Sequence, residues 1–274
     1  MKKVNLSKIS LWIISALIFV LYIFPFLMII VNSFKERLEV VADPISIPKV
    51  FSLENYKSAF ETMNFGTSFI NSLLVTTVSV IVIVFFSSTL AYFLVRWKWK
   101  INGIILMLMI ASMIIPFQSI MIPFVSIFGE FGLLNSREML IFYYLGFGIS
   151  MATFMYHGFI KNIPVELEEA AIIDGASKFT VFFKVVFPLL KPTTTTIAIL
   201  DVLWIWNDFL LPSLVLVKDD IRTLPLSTFY FFGKYTADYN IAMAALVLCI
   251  IPILIFYFIM QKQIIQGVMD GGIK

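Results

Sequence analysis

The 274-residue sequence is poor in the groups that carry out chemistry. Its one cysteine, Cys249, sits inside an apolar run, which excludes an intrachain disulfide and a thiolate metal cluster. Its one histidine, His157, has no Cys, His, Asp or Glu at ligand spacing, so a structural role suits it better than a metal-binding or catalytic one. No Gly-x-x-x-x-Gly-Lys-Ser/Thr loop occurs, so the chain cannot hold and hydrolyse ATP in the usual way. Charge is scarce too, at 14% of residues, where a soluble domain carries about a quarter. The net charge of +3 is too slight to suggest a nucleic-acid partner.

What is abundant is apolar surface. Hydrophobic residues make up 60% of the chain, with 29 Phe and 13 Met, and the mean hydropathy is +0.97. This composition belongs to a membrane protein. A spanning helix needs about 20 apolar residues to cross about 30 Å of hydrocarbon. Six runs qualify: Ile9 to Val31, Phe69 to Val95, Ile104 to Phe128, Met139 to Ile160, Thr193 to Val217, and Ile241 to Met260. None alternates like a strand, so the expectation is an all-α membrane protein of six transmembrane helices. About half the chain is then left for loops, too little for an attached soluble nucleotide-binding or catalytic domain. The first run follows Lys2, Lys3 and Lys8, but it is too long for a signal peptide and lacks an Ala-x-Ala site, so it reads as a retained signal anchor.

Sidedness follows from the basic residues. With the N-terminus inside, the outer segments hold Lys35, Arg37, Lys49, Lys57, Arg137, Lys218, Arg222 and Lys234, and the remaining 12 of 20 fall inside. The short loop Arg96-Trp97-Lys98-Trp99-Lys100 has three cations and no acid, as the positive-inside rule requires. Both termini are expected to be cytoplasmic. The chain then reads as a single transmembrane domain over 1–274, with an extracytoplasmic segment at 34–66, a cytoplasmic loop at 161–191, an extracytoplasmic loop at 218–240 and a cytoplasmic tail at 262–274. Within 34–66, Ser52 to Glu61 reads as a short helix with Leu53, Tyr56 and Phe60 on one side, lying on the membrane surface or plugging the mouth of a bundle.

The one substantial inner loop reads Asn162-Ile163-Pro164-Val165-Glu166-Leu167-Glu168-Glu169-Ala170-Ala171-Ile172-Ile173-Asp174-Gly175-Ala176-Ser177. Pro164 pre-sets a helix start, three glutamates favour the positive end of the dipole, and Gly175, at positive φ, ends the helix after about three turns. Ser177 then caps a second helix that runs to Pro188 and enters the membrane near Pro192. The exposed unit is therefore helix, glycine turn, helix, with a small Ala170-Ala171 surface that lets another protein approach. A solvated amphipathic connector would show the same local pattern.

Glu169-Ala170-Ala171, Gly175 and the trailing Val185-x-Phe187-Pro188 are spaced as in the EAA loop of binding-protein-dependent ABC importer permeases, and the sequence resembles that family. Asp174-Gly175-Ala176-Ser177, Pro188-Leu189-Leu190-Lys191-Pro192, Trp206-Asn207-Asp208-Phe209 and Arg222-Thr223-Leu224-Pro225 resemble its carbohydrate branch, specifically the maltose-type second permease subunit. Asn71-Ser72-Leu73 and Ser52-Leu53-Glu54-Asn55-Tyr56 fit the same subfamily, and the resemblance covers most of residues 34–274.

The resemblance implies a type I permease bundle in the bacterial cytoplasmic membrane. It implies a second permease subunit, two ATPase subunits that bind ATP and magnesium, an extracytoplasmic binding protein and a sugar substrate. No cofactor is expected in this chain. Glu169, Ala170, Ala171, Asp174 and Gly175 would form the coupling helix docked on an ATPase. The loop at 218–240, with Phe231-Phe232 and Tyr235, would reach the binding protein, although lipid or interfacial contact explains such aromatics equally. The tail from Gln266 would enter the ATPase dimer, although such tails also fray.

Asp201 and Asp208 lie seven residues apart on the fifth run, hence on one face if the helix is continuous. A mid-bilayer carboxylate costs about 2.5–3.5 kcal/mol on insertion scales, so Asp201 should face the bundle interior, either bonding another helix or lining a pathway. For Trp206, Asn207 and Asp208 the resemblance implies an outer gate or cavity, where aromatic faces and polar groups fit sugars; in the maltose-type pair the other subunit makes most sugar contacts. Pro116 and Pro123 share a face of the third run and should kink it. Half of a secondary transporter would need ion-coupling charges at the midplane, for which Asp201 is the one candidate. A membrane-embedded enzyme would need a converging catalytic set, which is absent from the sequence.

Overall fold

The computed structural model describes residues 6–231 and 238–272, with side chains over 10–231 and 238–265. Among these residues every regular element is helical. Phe232 and Tyr235 of the aromatic loop lie outside the described residues, as do the last two residues and the side chains of the tail from Gln266.

The chain forms two compact units, one from residues 1–66 and 227–252 and the other from 67–226 and 253–274. The first unit contains α1 (Leu6–Asn32), α2 (Arg37–Ala42), α3 (Glu54–Thr62) and the first part of α14 (Tyr239–Gly272). Helix α1 is apolar from Leu11 to Val31 apart from Ser15 and leaves nearly all of that length unpacked, so its exposed Leu, Ile and Phe side chains suit lipid. Asn55 knits the unit together. Its amide donates to the carbonyls of Ser33 and Lys35, both at 2.8 Å, and its side-chain oxygen accepts from Asn240 at 2.7 Å. Helix α3 therefore buries Asn55 and Ala59, whereas Leu53 and Phe60 of the expected apolar stripe face outward. Tyr56, between them in the stripe, is half-buried and its hydroxyl meets Ser33 Oγ at 2.6 Å.

The second unit contains α4 (Phe65–Arg96, from Thr67), α5 (Lys100–Ser112), α6 (Phe117–Glu130), α7 (Arg137–Ile160), α8 (Glu166–Ile173), α9 (Lys178–Val181), α10 (Phe187–Leu189), α11 (Lys191–Asn207), α12 (Leu210–Val215), α13 (Leu224–Ser227, to Leu226) and the last part of α14. A π-helical turn, Phe182–Val186, joins α9 to α10. Tyr144, Tyr156, Leu140 and Ile160 of α7 are fully buried, together with Ile83 of α4 and Leu190. Gly148 lets α7 come close to its neighbours: a Cβ there would lie 2.7 Å from Ile83 Cδ1 and 3.4 Å from the Trp204 ring.

Four helices are long and apolar enough to span a bilayer, and two further runs are bent pairs. The third run is α5 plus α6, turned through 100° at Met113–Pro116. Pro116 heads α6 in extended conformation, which accounts for a break sharper than the expected kink. Helices α9, α10 and α11 form the other pair, bent by 75° at Leu190. The fifth apolar run also ends early. Helix α11 stops at Asn207, and Asp208 is extended at φ −71° and ψ 129°, so Asp201 and Asp208 do not share a helix face. Pro212 in the next short helix and the side-chain bonds of Asp208 favour this stop.

Candidate functional site

The loop at 161–191 folds as the helix, glycine turn and helix that its sequence dictates. Helix α8 is shorter than expected, eight residues or about two turns. It ends in a doubly bonded glycine cap: Ala176 N–H donates to Ala171 O and Gly175 N–H to Ile172 O, both at 2.9 Å, with Gly175 at φ +87°. Ser177 caps the following helix, its hydroxyl accepting from Thr180 N–H at 3.2 Å. Glu169, Ala170, Asp174 and Gly175 are exposed and Ala171 is half-buried. Around them Leu167, Ile172, Ile173 and Phe179 also face out, with Ile173 85% and Phe179 72% exposed. An apolar surface of this kind beside acidic side chains suits a protein partner.

The three glutamates have separate roles. Glu166 and Glu169 are exposed, whereas Glu168 is buried and faces the end of α4. Arg96 Nε donates to Glu168 Oε1 at 2.6 Å and Tyr92 OH to Oε2 at 2.7 Å. Arg96 Nη2 also reaches the carbonyl of Ile163 at 3.0 Å. The ion pair is largely shielded from water, so removing one partner would strand the other charge at a cost of about 3–5 kcal/mol. On the other arm of the loop, Lys178 Nζ lies 5.3 Å from the centre of the Trp97 ring, and Phe182 packs 5.0 Å from Tyr92. In the sequence Arg96 registers only as an inner-side cation and Glu168 as one of three similar acids. A contact across 72 residues leaves no local signal.

The other candidates are not gathered into one cluster. Asp201 is buried on α11, and its Oδ2 has no hydrogen-bond partner among the described residues. Trp206 is buried with its indole N–H likewise unpartnered, and its ring meets Phe69 edge-on at 5.9 Å. Asn207 is exposed and its amide turns back to Leu203 O at 2.7 Å. Asp208 joins two helices: Oδ2 accepts from Tyr144 OH at 2.9 Å and Oδ1 from Leu210 N–H at 3.0 Å. Among the described residues no group of three His, Cys, Asp or Glu side chains could hold a metal.

Two sequence motifs noted separately prove to be contacts of one another. Asn71 donates to the carbonyls of Asp220 and Arg222 at 2.9 and 3.0 Å, and Ser72 Oγ accepts from Leu224 N–H at 2.7 Å. Arg137 holds the Asn71 oxygen at 2.8 Å, and Asn135 Oδ1 accepts from the Val217 and Lys218 amides. The segment at 217–224 is thereby pinned by side chains from α4 and from the turn before α7.

These features agree with what the chain is similar to. Residues 83–270 match the family model described as "Binding-protein-dependent transport system inner membrane component". The "Probable starch degradation products transport system permease protein AmyC" of Thermoanaerobacterium thermosulfurigenes is 47% identical over 274 residues, all of both chains. The "Multiple sugar-binding transport system permease protein MsmG" of Streptococcus mutans is 38% identical, with 93% of each chain covered. Among solved structures, a chain of a bacterial ABC transporter that imports the acidic polysaccharide alginate matches with a TM-score of 0.80 at 21% identity, covering 96% of this chain and 99% of that one. That last likeness concerns the fold alone. The chain belongs to the binding-protein-dependent transport system inner membrane components, the permease subunits of ABC importers, and is a multi-pass transport subunit rather than an enzyme.

Proposed function

We propose that this chain is one of two permease subunits in an ATP-driven importer of a sugar or oligosaccharide. It works with a second permease, two separate ATPase subunits that bind ATP and magnesium, and an extracytoplasmic sugar-binding protein. The chain is one transmembrane domain of six spans with both termini in the cytoplasm, α5 and α6 together serving as the third span and α11 and α12 as the fifth. Glu169, Ala170, Ala171, Asp174 and Gly175 dock on an ATPase, and closure of the ATPase pair on ATP moves this loop and the helices that hold it. Asp201, Trp206, Asn207 and Asp208 serve the pathway or its gate, and the loop at 218–240 meets the binding protein. The transport systems named for AmyC and MsmG support the sugar assignment.

The observation that carries the coupling role is the exposed apolar face of α8 and α9 on a loop anchored from behind by a buried ion pair. Open space surrounds both the α8 surface at Ala170 and the Gly175 turn. Bulk at Ala170 therefore disturbs a partner before it disturbs this chain, whereas a side chain at Gly175 also strains its own turn, held at φ +87°, by about 1–2 kcal/mol. Ala170→Trp and Gly175→Asp should abolish sugar uptake while the subunit stays at wild-type abundance in the membrane. Either the ATPase subunits dissociate, or they remain and hydrolyse ATP without moving sugar. Normal uptake by Ala170→Trp would reduce the loop to a connector.

A further inference from the structure

Helix α4 runs from Phe65 to Arg96 without a proline, and its only glycine is Gly66. Within its own compact unit, each end of this helix grips backbone from a distant part of the chain. At one end Asn71 and Ser72 hold residues 220–224 through three hydrogen bonds of 2.7–3.0 Å. The last turn lies 25 residues on, or about 38 Å along the axis at about 1.5 Å per residue. There, Tyr92, Arg96 and the adjoining Trp97 meet three successive points of the inner loop: the Ile163 carbonyl, the Glu168 carboxylate, and the Lys178 and Phe182 side chains. Both grips are dry. Asn71 is 1% exposed, Ser72 2% and Glu168 6%, so water cannot readily replace either set of bonds.

A displacement of α8 can leave the loop through its covalent ends or through side-chain contacts. The covalent ends are Pro164 and the Gly175 turn. The hydrogen bonds made by the α8 side chain Glu168 converge on the final turn of α4. We propose that α4 is a connecting rod: Tyr92, Arg96 and Glu168 are positioning residues that fasten the ATPase-facing loop to it, and Asn71 and Ser72 fasten it to the segment at 217–224. Movement of the loop is thereby delivered to the other end of the unit. This deepens the coupling role given above and rests on it.

The test uses the complete importer, with its second permease, ATPases and binding protein, in proteoliposomes. The reading is ATP hydrolysed per sugar moved, a ratio that a general loss of stability does not change in the complexes that remain assembled. Glu168→Gln breaks the inner fastening. Arg96→Met combined with Glu168→Leu removes it without leaving an unpaired charge, and Asn71→Leu breaks the outer one. Each should raise the ratio at least fivefold with basal ATP hydrolysis retained. Joining an inner to an outer change should add less than a further twofold, because both interrupt one link. Lys98→Ala, on the exposed neighbouring loop, should leave the ratio unchanged. If the strong variants do not assemble, Tyr92→Phe and Arg96→Lys preserve size and charge and should still raise it at least twofold. A ratio within experimental error of wild type in the assembled variants, or inner and outer effects that multiply in full, overturns the proposal. Ala170→Trp separates the two readings: if it abolishes uptake while the fastening variants stay coupled, only the rod fails, and if it transports normally, the coupling role fails with it.

Discussion

At the scale of single residues, the closest approach in the second unit is carried by an absence of side chain. Gly148 faces Ile83, and a Cβ at 2.7 Å from Ile83 Cδ1 forces that fully buried side chain off its rotamer. Overpacking of this kind costs about 1–3 kcal/mol, and the helix propensity gained by replacing glycine returns about 1 kcal/mol. Gly148→Ala should therefore lower the unfolding midpoint of the purified subunit modestly, and Ile83→Val, which removes Cδ1, should restore part of the loss. An equal fall in midpoint on Gly148→Ala in the wild-type and Ile83→Val backgrounds would show that the two sites do not touch. Asp208 calls for a different comparison. Asn preserves an acceptor for Leu210 N–H and a partner for Tyr144 OH, whereas Ala strands a buried hydroxyl at about 1–3 kcal/mol. Asp208→Asn should match wild type in stability and Asp208→Ala should not. Loss of uptake in a stable Asp208→Asn subunit then isolates a role for the charge itself.

Among elements, what was legible in the sequence was whatever local chemistry decides. Pro116 announced a break, Ser177 a cap and Gly175 a left-handed turn, and each stands where expected because the determinant lies within a few residues of its effect. Six apolar runs were equally plain. The end of α11 was not, because an aspartate inside an apolar run reads as helix until Tyr144 and the Leu210 amide are seen to take its two oxygens. Nor did the sequence distinguish Glu168 from Glu169, since the distinction is made by Arg96, 72 residues away. The short helix carrying Leu53, Tyr56 and Phe60 was legible, but the bonds that hold it to the rest of the unit were not. Asn55, with three partners, and Tyr56, whose hydroxyl meets Ser33 Oγ at 2.6 Å, tie this 9-residue helix to residues at least 20 positions away, while Leu53 and Phe60 stay exposed.

For the whole molecule, sidedness is the property on which the proposed mechanism stands. In a Cys249→Ala background, single cysteines at positions 98 and 177 should react with an impermeant maleimide only from the cytoplasm, and one at position 57 only from outside. Reaction at 57 and 98 from the same face would remove the six-span topology, and with it the placement of the loop opposite an ATPase. The π-helical turn at Phe182–Val186 has a further consequence. Such a turn holds one residue more than an α-helical turn, and each residue of an α-helix advances the chain by about 100°. If the extra residue migrates by one position, the residue it passes is re-phased by that angle while nearly all backbone bonds remain made. A shift of that kind between Ser177 and Pro188 would twist the connector by one discrete step, where a straight α-helix would have to bend or unwind.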